Sequence, residues 1–97
     1  MRNRIKEVIQ SPLFGRQKKK LPKDQIRHLD KIVRTIVRNP GAGTMKSGDL
    51  QGVRVYKFRM GGIQILLAYE VAEYTLYLYT FGSHENFYRK LKKYRNR

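Results

Sequence analysis

Val53-Arg54-Val55-Tyr56-Lys57-Phe58-Arg59-Met60, then Gly61-Gly62, then Ile63-Gln64-Ile65-Leu66-Leu67-Ala68-Tyr69-Glu70-Val71, is a stretch in which the side-chain pattern repeats every second residue on both sides of a glycine pair. A period of two is the pattern of strands, and paired glycines supply the backbone freedom of a tight hairpin turn. A third alternating segment, Thr75 to Phe81, follows Ala72-Glu73-Tyr74, which is short enough for a second hairpin turn. Residues 53–81 therefore read as a three-stranded antiparallel meander. Side chains at i and i+2 leave a strand on the same side. Tyr56 and Phe58 then face a core, with Ile63, Ile65, Leu67, Tyr69, Val71, Leu76 and Leu78. The opposite face receives Val53, Val55, Lys57 and Arg59 from the first strand. Gln64, Leu66, Ala68 and Glu70 join them from the second, and Tyr77 and Tyr79 from the third.

Upstream, Ile26, Leu29, Ile32, Val33, Ile36 and Val37 recur with a helical period from Lys23 onward, and Asn39-Pro40-Gly41 stops the pattern. This predicts a helix of about four turns. Ser11-Pro12 offers an N-cap followed by proline at the first helical position, so residues 12–20 form a shorter helix, divided from the longer one at Leu21-Pro22. Residues 4–10, with β-branched Ile5, Val8 and Ile9, read as a short strand. Gly41 to Gly48 reads as a connector, since no Gly-Lys-Ser/Thr opens a helix after it as a phosphate cradle requires. Downstream, Phe87, Tyr88, Leu91 and Tyr94 recur at spacings of three to four, which predicts a short docked C-terminal helix. The expected architecture is α+β in a single domain over residues 1–97. It comprises an N-terminal strand, a two-helix hairpin, the meander and a C-terminal helix, with the helices grouped on one face.

Charge narrows the partners. Twenty-two Lys and Arg against seven Asp and Glu leave a formal charge of +15 on 97 residues. The excess is spread along the chain: residues 1–40 hold twelve bases and three acids, residues 41–97 ten and four. Such a surface suits a polyanion, nucleic acid first, or an acidic protein. The chain has no cysteine, which removes disulfides, thiolate nucleophiles and Cys-ligated zinc, and fits a reducing cytoplasm. Met1-Arg2-Asn3-Arg4 lacks the apolar core of a signal peptide, and no apolar run is long enough for a bilayer. The expectation is a soluble cytoplasmic protein with no membrane partner.

Where the meander ends, Gly82-Ser83-His84-Glu85-Asn86-Phe87-Tyr88 sets an imidazole and a phenol one helical turn apart. Cutting RNA without a metal requires removing a proton from the 2′-hydroxyl, stabilising the phosphorane and protonating the leaving 5′-oxygen. Few carboxylates, two histidines and no cysteine make a two-metal site implausible, and no cofactor is expected. Lys57, Arg59 and His84 are candidates for the three tasks, with Tyr88 to stack a base or position a phosphate. Arg54, Arg89, Lys92 and Lys93 are candidate phosphate contacts, and Tyr77 and Tyr79 candidate base-stacking platforms. Each has an ordinary structural alternative. His84 and Ser83 can serve merely as surface and capping residues, Lys57 and Arg59 as solvated edge charges, and the tyrosines as common strand residues. His28, in the long helix beside Leu29, reads as structural.

Taken in order, Lys20-Leu21-Pro22-Lys23, Asn39-Pro40, Asp49-Leu50-Gln51-Gly52, Val55-Tyr56-Lys57-Phe58-Arg59, Leu67-Ala68-Tyr69-Glu70-Val71 and Gly82-Ser83-His84 resemble the RelE/ParE superfamily of toxins. The resemblance runs from about Ile5 to Tyr94. It implies the toxin half of a bacterial type II toxin–antitoxin module. Its RelE- and HigB-like branch, favoured here, comprises endoribonucleases that cut mRNA in the ribosomal A site, and its ParE-like branch inhibits DNA gyrase. Under the first branch, Lys57, Arg59, His84 and Tyr88 fall on catalytic positions, and the partners are mRNA and the ribosome with its rRNA. The resemblance also implies a cognate acidic antitoxin, with operator DNA bound only through the toxin–antitoxin complex. One departure is visible: the middle strand commonly carries an arginine facing the site, and the matching residue here is Leu66. Gln64 and Arg54 are the candidates to compensate. A gyrase inhibitor of the same fold, and a non-enzymatic RNA- or ribosome-binding module, are the alternatives.

Overall fold

The computed structural model describes residues 4–95, with the side chains of Asn86, Lys90 and residues 92–95 outside the description. The alternating segments form β3 (Arg54–Met60), β4 (Ile63–Ala72) and β5 (Thr75–Gly82). Register runs from Arg54↔Tyr69 to Met60↔Ile63, so Gly61-Gly62 is a two-residue turn. Both glycines sit at positive φ (+62° and +80°), the backbone such a turn demands. The second hairpin closes at Ala72↔Thr75, with Glu73 at φ +56°.

Preceding these are β1 (Glu7–Gln10), α1 (Pro12–Lys19), α2 (Lys23–Arg38) and β2 (Thr44–Met45), and α3 (His84–Arg95) follows. Short 3-10 turns occupy Pro40–Ala42 and Gly48–Leu50. The connector thus contains an unexpected two-residue strand, which pairs with β3 as Thr44↔Val55 and Met45↔Arg54. The five-stranded sheet has the order β1-β5-β4-β3-β2, with β1 parallel to β5. Ser11 links that pairing to the first helix. Its amide donates to the Leu78 carbonyl (2.9 Å) and its hydroxyl donates to the Tyr79 carbonyl (2.6 Å) while accepting from the Phe14 amide (3.0 Å). The hydroxyl therefore caps α1, where Pro12 fills the first turn as its sequence predicts.

Two cores flank the sheet. α1 and α2 cover one face, where Phe14, Leu29 and Ile36 meet Phe58, Ile65, Leu67, Tyr69, Leu76, Leu78 and Phe81. An ion pair, Lys18 to Asp30 at 2.8 Å, ties the two helices together at the surface. The grouping of all helices on one face is corrected here: α3 lies on the other face. Phe87 and Leu91 seal Leu50, Val53, Val55, Leu66 and Ala68 into a second cluster. The physical reason is that β4 is apolar on both sides from Ile65 to Tyr69, so each face needs a cover. β4 and β5 also slip register, with Ala68↔Thr80 beside Tyr69↔Leu78, leaving Tyr79 as an extra residue in a bulge. That slip returns Phe81 to the α1 side after Leu76 and Leu78.

The connector is bolted to the sheet. The buried Tyr69 hydroxyl donates to the Pro40 carbonyl (2.7 Å) and accepts from the Gly43 amide (2.8 Å). Burial pushes this phenol above its ordinary value of 10.0, against the lowering effects of the Gly43 hydrogen bond and the Arg54 charge. Gly43 is required by close approach, since a Cβ there would stand 2.8 Å from the Tyr69 hydroxyl. Among the described residues, no helix is long and apolar enough to cross a membrane.

Candidate functional site

Lys57 and Arg59 alternate with Tyr56, Phe58 and Met60, so they leave β3 on the side away from α1 and α2. On that side Val53 and Val55 are buried under α3, whereas Lys57 and Arg59 are exposed. The cover therefore ends between Val55 and Lys57. Beyond it Arg59 pairs with the exposed Gln64 on open sheet, while Lys57, at the edge of the cover, pairs with the buried Leu66. Leu66 in turn pairs with Gly82, the last residue of β5. Lys57 and Gly82 are thus two strand spacings apart, about 10 Å.

Two residues past Gly82, exposed His84 begins α3. Its imidazole meets the Tyr88 ring edge-on at 5.6 Å between centroids. Tyr88 is held from behind by Phe87, whose ring lies 4.9 Å away at 86°, and the Lys46 ammonium sits 5.4 Å from its centroid. Phe87 is buried in the second core, so the core fixes the helix turn that carries both site rings. A helix start also presents unsatisfied backbone amides and the positive end of its dipole. Lys57, Arg59 and Gln64 are thus exposed on the sheet face that α3 partly covers, with His84 at the start of that helix and Tyr88 one turn further, beside Lys46. Such a surface can hold a phosphate, and it offers an imidazole and an amine for proton transfer.

Arg59 is anchored on both sides of its Cα. Its guanidinium donates to the Gly62 carbonyl at 2.7 Å, and its own carbonyl is 2.9 Å from Nε2 of His28. His28 therefore has the structural place its sequence context predicts, bridging α2 to β3, with its ring 5.9 Å from that of Phe58.

Other sequence-predicted contacts fall elsewhere. Arg54 has the parity of Tyr56, not of Lys57, and its Nη1 donates to the Gly43 (2.8 Å) and Gly41 (3.4 Å) carbonyls. It holds the connector and faces away from His84, so it does not stand in for an arginine at Leu66. Leu66 itself is 1% exposed, a core residue under α3 and not a gap in an open site. Tyr79 is half-buried in the bulge, packs on the second core, and donates to a Glu70 carboxylate oxygen at 2.7 Å. Tyr77 pairs with Glu70 and Ile9, five residues from Gly82 and about 17 Å along the strand. Tyr77 therefore lies away from the His84 end, and Tyr79 is engaged by the second core and by Glu70. Arg89 is exposed on α3, and the side chains of Lys92 and Lys93 lie outside the described residues. Gln64 is exposed on the face that strand parity assigns to it. Sequence reasoning missed Lys46 as a neighbour of Tyr88, which depends on the fold of the connector. Among the described residues, no three His, Asp or Glu side chains gather as metal ligands would.

Comparison with solved structures returns toxins of this architecture. The E. coli toxin RelE in its free state, as a mutant, superposes with a TM-score of 0.70 at 16% identity, covering 90% of this chain and 94% of that one. A chain of the intact E. coli RelBE toxin–antitoxin complex gives 0.65 at 18% identity over 80% of this chain and 95% of that one. The YoeB/ParE toxin from Agrobacterium tumefaciens gives 0.59 at 13% over 81% and 99%. At these identities the likeness establishes the fold. A sequence comparison with curated proteins yields no match. The model of the ParE-like toxins of type II bacterial toxin–antitoxin systems, however, matches residues 2–92. By that match over nearly its whole length, and by its fold, the chain belongs to the RelE/ParE superfamily as a toxin of a type II toxin–antitoxin system.

Proposed function

We propose that this toxin is a ribosome-dependent, metal-independent endoribonuclease that cuts mRNA in the A site and so stops translation in the cytoplasm. What supports the proposal is that exposed Lys57 and Arg59 leave β3 on the face covered by α3, and that Lys57 is in register, through Leu66, with Gly82, two residues before the His84 that opens α3 one turn ahead of Tyr88. In this scheme the 2′-hydroxyl loses its proton and its oxygen attacks the adjacent phosphorus. The bond to the 5′-oxygen breaks, and that oxygen takes up a proton, leaving a 2′,3′-cyclic phosphate and a 5′-hydroxyl. Lys57 and His84 share the two proton transfers, Arg59 neutralises the phosphorane, and Tyr88 stacks on a flanking base. The ribosome supplies the mRNA in a bent, accessible form and rRNA as a docking surface for a +15 protein.

The partner that restrains it is an acidic antitoxin, for which support comes from the net charge and from the toxin–antitoxin complex among its structural neighbours. Operator DNA is bound only through that complex. Primer extension on mRNA in a translating extract tests the ribonuclease reading. Wild type should cut within codons, and His84→Ala and Lys57→Ala should each lower cleavage by about 10²–10⁴-fold, the usual worth of a general acid or base. A second reading, inhibition of DNA gyrase, is favoured by the ParE-like family model and by the absence of an arginine at Leu66. Growth arrest with intact mRNA, and unchanged toxicity in both alanine variants, would overturn the ribonuclease in favour of gyrase.

A further inference from the structure

Arg59 has a task in the proposed reaction, and it stands near the free end of β3. Gly61 and Gly62 follow it at φ +62° and +80°, and paired glycines leave a turn soft. Backbone groups alternate between the two edges of an antiparallel strand. The Val53 carbonyl accepts from the Lys46 amide at 2.8 Å, so the carbonyls of Val55, Lys57 and Arg59 turn to that same edge. β2 covers the edge only opposite Arg54 and Val55. The Arg59 carbonyl lies past the end of β2, and the side chain that reaches it comes from α2. Nε2 of His28 stands 2.9 Å from this oxygen. A carbonyl only accepts, so Nε2 carries the proton.

Three further contacts give that bond its consequence. The His28 ring meets the buried Phe58 ring at 5.9 Å and 63°, which fixes the direction of the imidazole. Gln25, three residues earlier and on the same side of the helix, sets its carboxamide 3.0 Å from the place a Cβ on Gly61 would take. α2 therefore grips the hairpin at two points, Gly61 and the Arg59 carbonyl. The Arg59 guanidinium is in turn tied to that hairpin, since its Nη2 donates to the Gly62 carbonyl at 2.7 Å. α2 packs in the core on the face opposite α3, so this restraint reaches Arg59 from behind the sheet. We propose that His28 is a positioning residue, which fixes the hairpin end that aims Arg59 and so sets the rate of the ribonuclease reaction, on whose reading the inference rests. His28 touches no substrate, and its effect passes through Arg59. A phosphorane carries more charge than the phosphodiester it comes from, so a displaced Arg59 weakens the transition state more than it weakens binding.

The test replaces His28 in the full chain in two ways. His28→Leu keeps an apolar side chain beside Phe58 and a good helix former, but removes the donor. His28→Gln keeps a donor, its side-chain amide, at similar reach. Both are assayed at a temperature where circular dichroism shows them folded. On ribosomes programmed with one mRNA, His28→Leu should lower the cleavage rate at saturating toxin by about 10–100-fold, the cost of misplacing a group by about 1 Å. The half-saturating toxin concentration should stay within about threefold of wild type. His28→Gln should recover most of the rate. A nuclear Overhauser contact between the Arg59 δ-methylene and the Gly62 α-protons should weaken in His28→Leu and persist in His28→Gln. A wild-type rate in His28→Leu overturns the proposal. So does an equal loss in both variants, which would assign the effect to the ring and not to the bond, or a change confined to half-saturation or to melting temperature. The Overhauser contact needs no cleavage and so keeps the two readings apart. If the wild type makes no cuts, the ribonuclease reading falls and the contact alone decides whether His28 places Arg59. Equal intensity in all three proteins then sinks that placement too.

Discussion

Leu66 is the position at which the family pattern and the packing make opposite demands, and Leu66→Arg sets them against each other. The side chain is 1% exposed and lies with Val55, Ala68, Phe87 and Leu91 beneath α3. Removing a leucine from full burial forfeits about 1.5–3 kcal/mol. A guanidinium at that point meets no carboxylate in the cluster, so it has either to remain unpaired in apolar surroundings or to lift α3 away. Either route adds to the loss, and a total of at least about 3 kcal/mol follows. For a domain of this size each kcal/mol lowers the melting temperature by about 4–8 °C, so a fall of about 12–24 °C is expected. Thermal unfolding followed by circular dichroism reads it directly. Leu66→Met serves as a volume-matched control and should cost less than about 1.5 kcal/mol. A melting temperature within a few degrees of wild type, together with stronger mRNA cleavage, would refute the reasoning. It would mean that residue 66 projects into an open site and that α3 does not seal this face.

The connector and the phenol that holds it give further tests. Gly43→Ala brings a Cβ within 2.8 Å of the Tyr69 hydroxyl and 3.1 Å of the Val55 main chain, and overpacking of this kind should cost about 1–3 kcal/mol in urea unfolding. Tyr69→Phe strips the Pro40 carbonyl and the Gly43 amide of their shared partner and should cost about 1–3 kcal/mol. The double variant should cost less than the sum of the two, because the alanine methyl clashes with the hydroxyl that phenylalanine lacks. Alkaline stability follows from the raised Tyr69 phenol. A group whose folded value lies above its unfolded value contributes fully below the unfolded value, about pH 10. That contribution is then lost as pH rises through the folded value. Urea melts between pH 8 and 11 should therefore show wild type losing stability above pH 10 along a slope that Tyr69→Phe lacks.

The parts of this molecule legible in its sequence are those where one local pattern decides the outcome. Period two across Gly61-Gly62 determines the first hairpin and its register, and the spacing from Ile26 to Val37 gives α2 to the residue at its start. Ser11 and Pro12 mark the beginning of α1 for reasons of hydrogen bonding that do not depend on tertiary context. What stayed illegible depends on contacts between distant residues. Nothing in Leu78-Tyr79-Thr80-Phe81 announces a bulge, because the slip serves the packing of Phe81 against Phe14, whose rings meet at 5.1 Å. The pairing of Thr44-Met45 with β3 depends on Tyr69 and Arg54 gripping the loop, which composition alone does not disclose.

Two errors of placement were avoidable. Arg54 lies an odd number of residues from Lys57 and Arg59, so strand geometry alone excludes it from their face. The unbroken apolar run Ile65-Leu66-Leu67-Ala68-Tyr69 is the pattern of a strand covered on both sides, and it called for a second layer that the one-faced arrangement did not provide. Phe87 and Leu91 are the only strongly apolar pair on α3 with described side chains, and they supply that layer. Once α3 crosses the sheet, the location of the candidate site follows. The helix buries Val55 and Leu66, its first turn delivers His84 and Tyr88, and Lys57, Arg59 and Gln64 remain uncovered beyond it. The leucine that departs from the family pattern and the exposed cations that agree with it thus share one cause, the edge of a helix that covers only part of the sheet.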